Sequence, residues 1–66
     1  MGFAYRGITR AGMADYCVFP HGTKEDAMRH ACGQLEAGAS NVSVEDAGGK
    51  TVADEAEIRV FCTRSN

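Results

Sequence analysis

The sequence predicts a small α+β domain of order ββαββ, and three observations carry that expectation. Residues 24 to 37 show a helical period with capping residues at both ends. Short apolar and β-branched runs, separated by glycine-bearing turns, stand on either side of that helix. A chain of 66 residues is long enough for one domain, residues 1 to 66. It buries only about 60% of the surface its unfolded form exposes, so no large enclosed active site is expected.

The first run, Phe3 to Arg10 ("FAYRGITR"), alternates poorly unless Gly7 marks a bulge, which would let Phe3, Tyr5 and Ile8 share one face and predicts a strand with a local irregularity at that glycine. Tyr16 to Phe19 is a second compact run, ended by Pro20, which cannot donate to a ladder. The turn-like "RAGMAD" between them makes the pair a hairpin. Thr23 is a natural N-cap with Asp26 three residues on, and Gly38 stands just past the last periodic residue. The helix therefore spans about 24–37. It places Ala27, Met28, Ala31, Cys32 and Leu35 on one side, and Asp26, Arg29, His30 and Gly33 on the other. That second group is a candidate contact face, since Gly33 costs a helix about 0.8–1 kcal/mol against alanine and would let a partner approach the backbone.

Asn41 to Asp46 alternates, with Val42 and Val44 directed inward, and "AGGK" turns the chain back into a short return strand. The last segment fits two periods: Ile58, Val60 and Cys62 share a face as a strand, while Ile58, Phe61 and Cys62 share one as a helix. Asp54 with Glu57 has the spacing of a capping box, which favours a short helix over about 55–63. The sheet is expected to be antiparallel, with the central helix across one face.

Composition excludes several classes of function. No apolar run approaches the roughly 20 residues that cross a bilayer, and the N-terminal stretch lacks the apolar block of a signal peptide, so a cytoplasmic protein is expected. The three cysteines, Cys17, Cys32 and Cys62, are odd in number and widely spaced, which reads as reduced thiols in apolar surroundings. Apolar residues at 44% and charged residues at 24% describe a folded chain.

The triplet "GKT" at Gly49 to Thr51 resembles a phosphate loop, but Val44 stands where the first glycine of that motif is required, and a strand-like run follows. No nucleotide cofactor is expected. A zinc site from Cys17, His21, His30 and Cys32 fails on geometry, because residues two apart on a helix point to opposite sides. The same separation leaves Cys32 without His30 as a base, so no catalytic residue and no metal are expected.

Charge is distributed unevenly. Residues 36 to 57 carry one basic and six acidic side chains, while residues 1 to 35 carry four basic and three acidic. Such a balance disfavours direct binding of nucleic acid, unless Arg6, Arg10, Arg59 and Arg64 cluster. The acidic set Glu45, Asp46, Asp54, Glu55 and Glu57 is the leading candidate for partner binding, as a negative surface for a basic groove on another protein.

Size, α+β form, this acidic segment and the lack of a catalytic motif together resemble the small anti-CRISPR proteins of phages and mobile elements. The resemblance implies a non-catalytic inhibitor that docks on a nucleic-acid-handling complex. Its partner would be a Cas subunit of a CRISPR effector, and target-DNA recognition would be blocked by mimicry of DNA. It includes no diagnostic motif, so it assigns no residue. The net charge of −2 limits any mimicry to a local patch. The alternative expectation is a small housekeeping domain, monomeric or homodimeric through an exposed sheet edge.

Overall fold

The computed structural model describes residues 2–65. The elements are β1 (Phe3–Ile8), β2 (Ala14–Phe19), α1 (Lys24–Glu36), β3 (Ser40–Asp46), β4 (Thr51–Ala53) and α2 (Glu55–Ser65). The ββαββ order holds, and the ambiguous last segment is a helix. The sheet has the order β2-β1-β3-β4 with every neighbouring pair antiparallel. Because β2 and β3 both run against β1, α1 is the crossover that carries the chain from one side of β1 to the other.

Both hairpins are built alike. A three-residue loop ends in a glycine at positive φ, Gly12 at 87° and Gly49 at 85°. A side-chain oxygen at the loop's first flank then accepts from the returning backbone: Thr9 Oγ1 from Met13 N–H at 3.1 Å, and Asp46 Oδ1 from Lys50 N–H at 3.0 Å. This is the familiar three-residue hairpin with a glycine bulge. "GKT" is thus the return of a β-turn.

The caps of α1 form as the sequence requires. Thr23 Oγ1 accepts from Asp26 N–H, and the Asp26 carboxylate accepts from Thr23 N–H. At the other end Gly38 N–H bonds the Leu35 carbonyl and Ala39 N–H that of Gln34, which closes the helix in a Schellman motif. Asp54 caps α2 by accepting from Glu57 N–H at 2.9 Å. The reciprocal half of that box is replaced, since Glu57 turns its carboxylate to Lys24 Nζ at 3.2 Å.

The irregularity expected at Gly7 is present, but its extra residue is on the partner strand; β1 itself alternates without a break against β2, so Ile8 lies on the face opposite Phe3 and Tyr5 and does not join them. Arg6 faces Ser43 and Ile8 faces Ser40, so Asn41 and Val42 of β3 together oppose Gly7, and Asn41 takes a φ of 52°. One core follows. Tyr5, Val42, Val44 and Ala53 of the sheet meet Ala27, Met28 and Ala31 of α1 and Ile58 of α2. Both helices therefore cover the same face of the sheet. The opposite face carries no layer among the described residues.

Candidate functional site

The five carboxylates proposed from sequence are engaged locally and do not form one patch. Glu45 projects from the uncovered face and bonds Arg6 Nε at 3.2 Å, with its side chain only 14% exposed. Asp46 spends its oxygen on the turn, accepting from Gly48 and Lys50 N–H. Asp54 is the cap of α2, and Glu57 reaches Lys24 on the helix side of the sheet. Glu55 holds Arg59 at 2.9 Å one helical turn away. Hydrogen bonding from Arg59 first, and then its charge and the nearby backbone of Val42 and Asn41, outweigh desolvation and hold the Glu55 carboxyl below its usual range. Three of these five carboxylates are thus paired with cations, two of them, Arg6 and Lys24, brought in from the first half of the chain.

The second predicted face divides as well. Asp26 is exposed but belongs to the capping box, and Arg29 is exposed and paired with Glu25 at 3.4 Å. Beside Gly33 nothing lies within 4 Å of where a Cβ would stand, and nothing in the structure explains that glycine. His30 corrects the sequence expectation. It does not stand on the outer side of α1; its ring lies edge-on to Tyr5 at 4.9 Å and to Phe19 at 5.4 Å, between α1 and the sheet. Its place is the flank of the apolar stripe, where the packing of α1 on β1 and β3 leaves it against two aromatic rings.

The candidate arginines Arg6, Arg10, Arg59 and Arg64 do not gather into one basic stripe. Arg6 is on the uncovered face, whereas Arg59 and Arg64 belong to α2 on the other side of the sheet.

The cysteine reading is also corrected. Cys32 and Cys62 form a disulfide with Cα atoms 5.6 Å apart, while Cys17 is a free thiol, half-buried. The apolar stripe of α1 and that of α2 meet over the sheet, and this packing brings together two cysteines 30 residues apart. Spacing along the chain holds no sign of it. The bond also commits Cys32, so the imagined Cys17, His21, His30 and Cys32 ligand set loses a thiolate.

The feature that sequence reasoning missed is the uncovered face itself. Cross-strand partners share a face, so Ala4 with Val18, Arg6 with Tyr16 and Ile8 with Ala14 all point away from the helices. Tyr16 is 54% exposed and Val18 53%. Arg6 lies over the Tyr16 ring, 4.8 Å from its centroid, with Glu45 on its other side. A shallow groove continues this surface past Ala4, Val18 and Pro20 to the β3–β4 turn at Gly48. The available signal was in "DYCVF", where apolar residues occupy both alternating positions of an edge strand.

Under the helices, Tyr5 is fully buried and its hydroxyl has no hydrogen-bond partner among the described residues. Burial, helped by the Asp15 carboxylate, pushes its phenol above the ordinary value of 10.0. A raised folded-state pKa contributes stability that is fully present below the unfolded value and is lost as pH rises through the folded one. Tyr5→Phe is therefore expected to hold stability at neutral pH within about 1 kcal/mol, because no hydrogen bond is lost. It should also weaken the decline above pH 10. Urea titrations at pH 7 and pH 10.5 measure both; an unchanged alkaline decline would assign it to other groups.

No helix of the described residues is long and apolar enough to cross a membrane. No protein-family model matches the chain, and comparison with characterised proteins and with solved structures finds no match.

Proposed function

We propose that this chain is a non-catalytic protein-binding module that docks through the uncovered face of its sheet on a partner presenting an apolar patch. The observation that carries the reading is that Tyr16 and Val18 stand half exposed on a strand whose other side, Cys17 and Phe19, packs against the core. Tyrosine and arginine are the side chains that most often anchor protein interfaces, and here Arg6 is held against the Tyr16 ring before any partner arrives. The carboxylates of the acidic set are engaged in a cap, a turn and ion pairs, which supports binding over catalysis. A cytosolic location fits the disulfide poorly, since glutathione keeps cytosolic thiols reduced; the bond favours an oxidising compartment.

A second reading keeps the acidic set as the docking surface of an inhibitor of a nucleic-acid-handling complex, such as a Cas subunit. One observation favours it. Arg6, Lys24 and Arg59, the cations that offset Glu45, Glu57 and Glu55, are all substantially exposed, so a basic groove could displace them at little cost.

One experiment separates the two. Proteins captured by the wild-type chain from its native host are compared with those captured by Tyr16→Ser with Val18→Ser, and by Glu45→Lys, Asp54→Lys and Glu57→Lys together, folding being checked by circular dichroism. The first reading expects at least a tenfold loss of the specific partner in the Tyr16 and Val18 variant alone. Loss confined to the charge-reversed variant would replace it with the second.

A further inference from the structure

The outer edge of the sheet is β2, and its free backbone groups can be identified. In the first hairpin Thr9 N–H bonds the Met13 carbonyl at 2.8 Å. Hydrogen-bonded and non-bonded pairs alternate along an antiparallel ladder. Ile8 with Ala14, Arg6 with Tyr16 and Ala4 with Val18 are therefore non-bonded pairs. The N–H and C=O groups of Ala14, Tyr16 and Val18 consequently point out of the sheet. Edge strands of natural sheets are usually blunted by lysine, proline, a bulge or a covering segment. Between Ala14 and Phe19 there is no lysine, proline or bulge, and among the described residues no strand pairs with its outer edge; Pro20 follows only where the strand ends.

We infer that β2 pairs antiparallel with β2 of a second copy of this chain, about a two-fold axis at Tyr16, to give a continuous eight-stranded sheet. Three features select this occupant. In that register Tyr16 faces the second copy's Tyr16 and Ala14 faces its Val18, so all three outward residues fall in bonded pairs and exchange about six hydrogen bonds. Charge is compatible too. The only charged residue of β2 is Asp15, which shares the helix side with Cys17 and meets the second copy's Cys17, so no like charges are opposed. On the uncovered face the row Ala4–Val18 continues into the second copy's Ala14 and Ile8, and apolar surface meets apolar surface. The other edge is unsuited, since β4 has three residues and a register shift.

The area offered is modest: six strand residues with Tyr16, Val18 and the exposed Met13. It falls near the lower end for specific association, so a weak, concentration-dependent dimer is expected. Pairing uses the backbone and leaves the Tyr16 and Val18 side chains on the open face, so it stands independently of whatever docks there.

The purified, oxidised protein is studied alone by sedimentation equilibrium and by amide hydrogen exchange, from tens of micromolar to about 1 mM. The expected result is a mass that rises toward twice the monomer, with protection of the Ala14, Tyr16 and Val18 amides rising in parallel. Ala14→Pro removes one outward donor without costing a bond to β1, and Val18→Lys places a charge on the edge; both should remain monomeric. A monomer at every concentration overturns the inference, as does a dimer in which those three amides exchange freely. A dimer that survives both substitutions does so too. None of these outcomes touches the docking reading, which is decided by capture of a partner with the combined Tyr16→Ser and Val18→Ser variant.

Discussion

Cys32→Ser is expected to lower the stability of this domain by about 3.5 kcal/mol, the chain-entropy value for a loop closed across 30 residues. For a domain of this size that corresponds to a fall in melting temperature of roughly 15–25 °C. Total stability is small in short domains, so the loss consumes a large part of it. The reason lies in what holds α2. Among the described residues of this helix only Ile58 is fully buried, with Phe61 and Cys62 half-buried beside it. The remaining anchorage is the Asp54 cap and exposed ion pairs such as Lys24 with Glu57, worth less than about 1 kcal/mol each. Without the bond, α2 is secured mainly by one isoleucine and its neighbours. Cys62→Ser and reduction of the wild type should reproduce the loss, whereas Cys17→Ser should not, because Cys17 is unbonded. Calorimetry with and without reductant measures all four. A melting temperature within about 5 °C of the wild type after reduction would show that packing alone holds α2.

The parts of this fold legible in the sequence are those fixed by neighbours along the chain. Thr23, Asp26 and Gly38 set both ends of α1 through bonds spanning three to five residues, and Gly12 and Gly49 close hairpins across five. The last segment satisfied two periods at once. Helix prevails because Asp54 caps it and because Ile58, Phe61 and Cys62 can then all turn toward α1 and the sheet. What could not be read depends on pairing across the fold. The partnership of β1 with β3 decides that Glu45 meets Arg6; the contact of α1 with α2 makes the disulfide; and the placing of both helices on one side leaves Tyr16 and Val18 bare. The acidic segment illustrates the difference. Its charge excess is real along the chain, yet Arg6 and Lys24, both from the first half, are folded onto it and leave no single negative surface.

Gly7→Ala is expected to cost about 3 kcal/mol, the upper end of the usual range for overpacking, because neither neighbour of the new methyl group can retreat. A Cβ at Gly7 would overlap the Tyr5 hydroxyl, lie 2.9 Å from the ring carbon that bears it, and lie 3.1 Å from a Val42 methyl. Tyr5 is wholly enclosed, with His30 against its ring, and Val42 sits in the bulge that opposes Gly7. The glycine thus does two things: it admits the tyrosine ring over its own backbone, and it accommodates two residues of β3 facing one of β1. Adding Tyr5→Phe removes the hydroxyl and leaves the ring, so the double variant should recover part of the loss. That recovery appears as a favourable coupling between two single changes, of which Tyr5→Phe alone is nearly neutral. Gly33→Ala supplies the opposite sign in the same protein: its methyl would meet nothing within 4 Å, and the helix should gain about 1 kcal/mol. Denaturant titration of the four variants gives each value directly. If Gly7→Ala lies within about 1 kcal/mol of the wild type, the Tyr5 ring is free to shift, and the bulge alone accounts for the glycine.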